Sequence, residues 1–264
     1  MSDENSKNNN VSSDITGRKI FFLFPTNSIQ NHIMNELVQQ EYEVYTAKDH
    51  SRLLRSLKKM SDSVVFINMD EGMAASEWEK WISGIKSACP KLDFGVFSSK
   101  PDDELRDRMI KSSLVTCGFF ALKHDMSKCT EPVIENLIKV NVKGRRKYLR
   151  AALAPDANAV INIPHNGEYI NGVLKDISVV GVSCVFEQDP NYPKNTLLSD
   201  IQLRLQSQLL RVESVVFGSR EGGSTGDKIY VLLFTQKVES EVRAKIRKYI
   251  QQSLQSKMDV EINN

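Results

Sequence analysis

The chain has 264 residues, enough for two typical domains, and 41% of them are hydrophobic, which is sufficient for buried cores. Its 35 basic and 33 acidic side chains leave a net charge of only +2. The molecule therefore has no strong overall field for attracting DNA, RNA or a membrane surface, and any basic site must be local. The four cysteines are scattered without a C-x-x-C pair, which favours reduced thiols over disulfides or a metal site.

The N-terminal residues and the short apolar runs bear on localisation. Residues 1–16 are polar, so we expect a disordered tail, and they contain no apolar core of the kind that a signal peptide has. The first apolar run, Ile20–Phe24, is far too short to cross a bilayer. We therefore expect a soluble, cytoplasmic protein without membrane insertion.

Residues 17–141 alternate between short apolar runs and stretches of helical period. This alternation predicts an α/β domain in which helices cover both faces of a parallel sheet. The predicted strands are Lys19–Phe24, Glu43–Ala47, Ser63–Asn68, Asp93–Ser98 and Cys117–Leu122. The predicted helices begin after Asn27 or Ser28, span Asp49–Met60 and Ser76–Ala88, begin after Pro101, and span Glu131–Val140.

The carboxyl ends of parallel strands are where such a sheet places its chemistry. The first predicted strand ends without a carboxylate, and the third ends at Asn68, with Asp70 two residues later. The five-unit order resembles the receiver domain of two-component signalling, which has a flavodoxin-like (βα)5 fold. The resemblance implies an acidic pair that binds Mg²⁺, a phosphorylated Asp at the position of Asn68, and a Ser/Thr and a Lys at the positions of Ser98 and Lys123.

The receiver motif lacks the residues that phosphoryl transfer requires. Asn68 cannot accept a phosphoryl group, and no acidic cluster is left to bind a divalent ion. We interpret this domain as a degenerate receiver-like module that serves packing, partner contact or dimerisation. A response regulator phosphorylated on Asp70 is an alternative.

From residue 142 onward the helical period gives way to the alternation typical of strands. Six short segments are separated by turn residues such as His165-Asn166-Gly167. They predict a mainly β domain with a six-stranded antiparallel barrel, which leaves no exposed sheet edge. The predicted strands are Ala159–Ile163, Glu168–Ile177, Gly181–Phe186, Thr196–Gln206, Gln208–Phe217 and Lys228–Thr235.

The domain is predicted to end in a helix over residues 238–256, because apolar residues repeat there at four-residue spacing. Its basic residues, Arg243 among them, are expected to face solvent. The glycine-rich segment 218–226 lacks the G-K-[ST] sequence of a phosphate-binding loop and is interpreted as a hairpin loop.

Two short motifs stand out in this second domain. An arm at residues 142–150 carries Arg146 and Arg150 in an R-x-x-x-R pattern, and about thirty residues later Asp176, Ser178 and Gly181 form a D-x-S-x-x-G pattern. Guanidinium forks suit phosphate oxygens and base edges, because each can donate two parallel hydrogen bonds. Spacing alone leaves open whether the arm is helical or extended.

The apolar residues change register within the second motif. Ile177 and Val179 share one parity, whereas Val180, Val182 and the apolar residues after them share the other. This change predicts a bulge or tight turn near Val179–Gly181, with Gly181 supplying backbone freedom. The resulting kinked strand is expected to direct Asp176 and Ser178 outward together.

The arm, the barrel and the D-x-S-x-x-G motif, in this order and at this separation, resemble the PilZ domain over about residues 142–236. This family binds the bacterial second messenger cyclic di-GMP. The resemblance implies that the ligand contacts are Arg146 and Arg150 from the arm and Asp176, Ser178 and Gly181 from the barrel surface. A basic residue at Arg145 implies an intercalated ligand pair, and therefore two ligand molecules per site.

We thus expect a cyclic di-GMP effector that has residues 17–141 as the degenerate receiver-like domain and 142–264 as the PilZ domain. Ligand capture is expected to order the arm, to change the arrangement of the domains and to signal to an unknown downstream partner. Motility, biofilm formation and virulence are the processes that the resemblance implies. An adaptor with a PilZ fold that does not depend on nucleotide is a further alternative.

Catalytic and metal sites are not expected. No Ser-His-Asp or paired-carboxylate arrangement has a supporting motif, so we expect no enzyme activity and no cofactor. His124, Asp125 and Cys129 lie close in sequence, but no second pair completes a tetrahedral set of metal ligands.

Overall fold

The computed structural model describes residues 15–100, 102–122, 127–154, 157–222 and 226–263. The chain forms two compact units. The first contains the described residues up to Lys147 together with those from Gln255 onward, and the second spans Tyr148–Leu254. The boundary between the units therefore lies inside the arm at residues 142–150.

The first unit is a five-stranded parallel sheet with helices between its strands. Its strand order, β2-β1-β3-β4-β5, is that of a flavodoxin-like fold, as the sequence predicts. The strands are β1 (Lys19–Leu23), β2 (Val44–Ala47), β3 (Ser63–Asn68), β4 (Asp93–Ser98) and β5 (Phe119–Ala121). The helices are α1 (Ile29–Met34), α2 (Asn35–Gln39), α3 (His50–Lys59), α4 (Ala75–Ala88), α5 (Asp103–Lys111) and α6 (Ser127–Lys139).

Burial explains why the strands of this sheet are continuous apolar runs. All six residues of β3 are buried, as expected for a strand that is covered on both faces. One face of the first helical stretch is also buried, with Ile29, Ile33 and Leu37 in the core. The first turns of that stretch, α1, are π-helical and continue directly into α2.

The second unit contains a closed barrel of six antiparallel strands, again as the sequence predicts. Around the barrel the order is β8-β7-β10-β11-β12-β9, and β9 pairs back with β8 to close it. The strands are β7 (Ala159–His165), β8 (Glu168–Ser178), β9 (Gly181–Phe186), β10 (Leu197–Leu205), β11 (Gln208–Gly222) and β12 (Asp227–Phe234). The predicted hairpin at the glycine-rich segment joins β11 to β12, where Gly222 pairs with Asp227.

A further short strand, β6 (Arg150–Ala152), pairs with the end of β8 and was not predicted from the sequence. The last helix, α7, runs over Ser240–Asn263, whereas residues 238–256 were expected. Ile246 and Ile250 of α7 are buried in the barrel core. Among the residues that the structure describes, none of the helices combines the length and apolar character that crossing a bilayer requires.

Arg18, which precedes β1, binds several carbonyl groups at the amino-terminal edge of the parallel sheet. Its side chain is 9% exposed, and Nη1 donates to the Val140 carbonyl at 2.8 Å. Nη2 donates to the carbonyls of Ser63 at 3.0 Å and Lys91 at 2.9 Å and lies 2.8 Å from Asp93 Oδ2. One guanidinium therefore joins segments that are far apart in sequence.

We predict that Arg18→Ala lowers the free energy of unfolding of the first unit by about 3 kcal/mol, because three carbonyl groups lose a buried charged donor and Asp93 loses the nearer of the two cations that pair with it. Urea denaturation followed by tryptophan fluorescence measures this unit selectively. Both tryptophans of the chain, Trp78 and Trp81, belong to it.

The matched control for this substitution is Arg108→Ala. Arg108 pairs with Glu79 at 2.8 Å, but its side chain is 56% exposed. Since exposed ion pairs contribute less than about 1 kcal/mol, this variant should unfold close to the wild type. Equal destabilisation by the two substitutions would contradict a special role for Arg18.

Candidate functional site

The first part of the arm is held through its backbone and leaves its arginine side chains exposed. Arg145 and Arg146 are both exposed, and the Arg146 amide donates to the Ile15 carbonyl at 3.0 Å. Gly144 packs so closely on Gly17 that a Cβ at residue 144 would collide with the backbone nitrogen of Gly17. The two arginines of this segment belong to the first unit and are available to ligands from solvent.

Arg150, in the second unit, occupies the first position of β6. The sequence left the conformation of the arm open, and the structure shows that this part is extended. Arg150 pairs with Ser178 of β8, and Ala152 pairs with Asp176. Ala151, between them, is fully buried and anchors β6 to the barrel. Because paired residues of antiparallel strands project from the same face, Arg150 lies beside the D-x-S-x-x-G motif.

The register change in this motif is a two-residue hairpin turn, Val179–Val180, between β8 and β9. Ser178 and Gly181 pair across it. The tight turn that the sequence predicts near Val179–Gly181 is therefore confirmed, whereas the expected kink within one strand is wrong, since two strands of opposite direction meet there. A register shift does occur in β8, but earlier, between Leu174 and Asp176.

Ser178 does not project into solvent as expected, because its hydroxyl group is used within the turn. The residue is 4% exposed, and Oγ donates to the Gly181 carbonyl at 3.1 Å. The same oxygen accepts a hydrogen bond from the Val180 amide at 3.4 Å. Ser178 therefore fixes the geometry of the hairpin from inside.

Gly181 is required for close packing rather than for backbone freedom. Its φ is not in the left-handed region. A Cβ at this position would collide with the Leu232 carbonyl oxygen and would lie 3.2 Å from Cδ2 of Leu233. Any side chain here would push β12 away from β9.

Asp176 provides the half-buried carboxylate of the motif, and its hydrogen-bond partner was not predicted from the sequence. Ser183 of β9 lies opposite Asp176, and its hydroxyl donates a short hydrogen bond to Asp176 Oδ2. A two-residue turn at Val179–Val180 places residue 183 opposite residue 176, so a hairpin interpretation of the motif could have found this pair. Ser183 fixes one oxygen of the carboxylate at the barrel surface.

Arg243 of α7 forms a hydrogen bond to the Val179–Val180 turn, contrary to the expectation that the basic residues of this helix face solvent. Its guanidinium donates to the carbonyls of Val179 at 2.7 Å, Thr235 at 2.8 Å and Val238 at 3.3 Å. Lys245, by contrast, pairs with Glu241 at 2.6 Å on the exposed face of the helix. Arg243 thus attaches α7 to the turn that carries the motif.

The positions that correspond to the receiver motif lie at the strand ends of the first unit. Asn68 is buried, and its Nδ2 donates to the Phe24 carbonyl at 3.0 Å while its Oδ1 accepts from the Asp70 amide at 3.3 Å. The amide therefore joins the ends of β1 and β3. Lys123, the expected basic position, lies outside the described residues.

The carboxylate of Asp70 accepts hydrogen bonds from residues at the end of β4. Its Oδ1 accepts from the Ser98 hydroxyl at 2.9 Å and its Oδ2 from the Ser99 amide at 2.7 Å. Partial burial raises the pKa of Asp70, but the hydrogen bonds from Ser99 and Ser98 and the charge of Lys100 outweigh it, so the pKa lies below its ordinary value. Asp70 is an ionised carboxylate that links β3 to β4.

The cysteines that were expected to be reduced are free thiols in the structure. Burial, assisted by the charge of Asp93, raises the pKa of Cys117 to about 12. Burial and the charge of Asp176 raise the pKa of Cys184 as well. Within the described ranges, groups of three or more His, Cys, Asp or Glu that could hold a metal ion are absent, while His124 and Asp125 fall outside those ranges.

Comparison with known proteins found a family model that matches part of the second domain. Residues 144–252 match the family model of the PilZ domain, as the two motifs imply. A search of curated proteins found no match.

Three solved structures are similar to parts of this chain. The PilZ domain of YcgR from Escherichia coli, solved with c-di-GMP, is 14% identical with a TM-score of 0.39, and the match covers 46% of this chain and 98% of that one. The MrkH–c-di-GMP complex of K. pneumonia is 19% identical with a TM-score of 0.38 over 47% of this chain and 57% of MrkH. A response regulator from Thermotoga maritima is 17% identical with a TM-score of 0.39, over 46% of this chain and 98% of its own.

We predict that Arg243→Ala loosens the Val179–Val180 turn, because three carbonyl groups lose a charged donor. Hydrogen bonds to charged groups contribute about 1.5–3 kcal/mol each. Hydrogen exchange should therefore become faster in a peptide that contains residues 176–183. Lys248→Ala, which removes an exposed charge from the same helix, is the control and should leave that peptide unchanged. Identical protection in wild type and Arg243→Ala would show that the turn does not depend on Arg243.

Proposed function

We propose that residues 144–252, a PilZ domain, act as a receptor for cyclic di-GMP. The observation that carries the proposal is the strand register of the second unit. It aligns Arg150, Ser178 and Gly181 in one row across β6, β8 and β9, with Asp176 and Ser183 in the next row. A cationic fork thus lies beside a half-buried carboxylate on the outer face of the barrel.

The residue chemistry fits a ligand that has two phosphates and two guanine bases. The Arg150 guanidinium can bind phosphate oxygens or the O6 and N7 edge of guanine with two hydrogen bonds. Asp176 can accept from the N–H groups of guanine, because Ser183 occupies only Oδ2 among the hydrogen bonds described above. The exposed Arg145 and Arg146 supply two more forks from the first part of the arm.

The remaining motif residues act through the shape of the surface. Ser178 keeps the hairpin in place through its hydrogen bonds to Gly181 and Val180. Gly181 allows β12 to approach β9. In this proposal neither residue gives the ligand a polar side-chain contact, and both determine where Asp176 lies relative to Arg150.

Ligand binding is also proposed to be the signal. Arginines of the proposed contact set lie on either side of the unit boundary between Lys147 and Tyr148. Capture of the ligand by both groups would order the arm and change the arrangement of the two domains. A downstream partner, in motility, biofilm formation or virulence, would recognise that change. Because the PilZ resemblance links a basic residue at the position of Arg145 to an intercalated ligand pair, the proposal includes two ligand molecules per site.

We predict that Arg150→Ala weakens cyclic di-GMP binding by tenfold or more, because a hydrogen bond to a charged group contributes about 1.5–3 kcal/mol. Isothermal titration calorimetry of the full chain measures the affinity and the number of ligands bound, for which we expect two. Arg150→Lys should recover only part of the affinity, because an ammonium group cannot replace the planar fork.

Arg204→Ala provides the control for these titrations. Arg204 is an exposed arginine of the same barrel, on β10, outside the row that contains Ser178 and Gly181. Its loss should leave the affinity unchanged. The receptor function would be disproved if the wild type gave no saturable heat, or if Arg150→Ala bound as tightly as the wild type.

A further inference from the structure

A groove lies between the first helical stretch, α1–α2, and α6 on the surface of the first unit. The two elements are adjacent, because Ile33 of α1 and Val133 of α6 are buried in the same core cluster. Outside that contact their facing side chains leave an open space of about 640 Å³. Neither Asn68 nor Asp70 lines this space, so it is separate from the positions of the receiver motif.

The walls of the groove are acidic. Glu36 lies on the α2 side, where Gln40 Nε2 donates to one of its carboxylate oxygens at 3.0 Å. Glu131 and Glu135 lie one turn apart on the α6 side. The described residues that line the groove include no lysine or arginine, so no cation of the groove itself compensates these three carboxylates.

The apolar part of the groove comes from α6. Ile134 packs against the core of the first unit. Ile138, one turn further along the same face, is 62% exposed, which is the highest value for a large apolar side chain in the described part of the chain. The lining residues of α6 extend from Ser127 to Ile138, about 16 Å along the helix axis. A groove of this length, apolar along its centre and charged at its walls, fits one face of an amphipathic helix.

The charge of the groove argues against several other occupants. Three carboxylates would repel a phosphate group or an anionic membrane surface. A symmetric contact between two copies of this chain would place the carboxylates of one groove against the same carboxylates of the other. Among the described residues, these carboxylates also do not belong to a group that could hold a metal ion. A cationic protein segment is the occupant that this charge favours.

We infer that the groove is a docking surface for an amphipathic helix of a partner protein, one whose apolar face is flanked by lysine or arginine. The apolar face of that helix covers Ile134 and Ile138. Its cations pair with Glu36 on one wall and with Glu131 and Glu135 on the other. The inference concerns the first unit alone, so it holds whether or not residues 144–252 bind cyclic di-GMP. It gives this unit a partner surface that does not require phosphorylation.

Titration of the full chain, without nucleotide, into a fluorescein-labelled model peptide tests this surface. The peptide consists of leucine and lysine, is about four turns long, and carries its leucines on one helical face. Fluorescence anisotropy at low ionic strength should show saturable binding to the wild type. Ile138→Ala should weaken binding about fivefold, because the docked helix loses an apolar contact. Glu131→Gln combined with Glu135→Gln should weaken it by a similar factor, because two ion pairs are lost.

Helix α5 of the same unit provides matched controls. Ile110→Ala removes an isoleucine that is 46% exposed, and Glu104→Gln combined with Asp107→Asn removes two exposed carboxylates. The α5 variants should bind the peptide as the wild type does. A second peptide of the same composition, with its leucines distributed around the helix, should bind at least about tenfold more weakly.

Circular dichroism of each variant, measured without peptide, shows whether the fold is intact. The docking surface would be overturned if the wild type gave no saturable binding, if the α5 variants weakened binding as much as the α6 variants, or if the two peptides bound equally well. None of these results would affect the receptor function, which the cyclic di-GMP titration of Arg150→Ala tests separately.

Discussion

The pairing of Ser178 with Gly181 across the Val179–Val180 turn sets the position of every other residue in the candidate site. Once these two residues are opposite each other, Asp176 must face Ser183, and β6 can pair with β8 so that Arg150 faces Ser178. A slip of one residue would move Asp176 and Arg150 to opposite faces of the sheet. The register of one hairpin is therefore the constraint on which the site depends.

Three features of the structure stabilise that register. The Ser178 hydroxyl donates a hydrogen bond to the Gly181 carbonyl across the turn, and the guanidinium of Arg243 on α7 donates one to the Val179 carbonyl. The absence of a side chain at Gly181 lets the backbone of β12 close against β9. These contacts keep the polar residues of the motif in fixed positions while Arg145, Arg146 and Arg150 remain exposed to solvent. Such an arrangement lowers the cost of ordering a binding surface when a ligand arrives.

Periodicity was sufficient to predict both folds, because each rests on a strong repeating pattern. Buried parallel strands such as β3 are continuous apolar runs, and the barrel strands alternate. The sequence left a bulge and a tight turn open near Val179–Gly181, because Val179 and Val180 are both apolar and a parity change between apolar residues fits either one. β6 has only three residues, too few for a periodic signal.

The partners of Arg243 and Asp70 depend on tertiary contacts that no local pattern encodes. Arg243 binds carbonyl groups up to 64 residues away, and a helical wheel shows only that it is basic. Asp70 reaches Ser98 and Ser99 across two strand ends. Asp176 and Ser183, by contrast, follow from simple counting once the turn is known to have two residues.

The most direct test of the account is a ¹⁵N NMR titration of the full chain with cyclic di-GMP. If the ligand binds the outer face across β6, β8 and β9, the largest amide shifts will occur at Arg150, Val180, Gly181 and Ser183. The receptor function would be contradicted if the amide shifts of these four residues did not change and the largest changes occurred at the strand ends of the first unit, around Asn68 and Asp70.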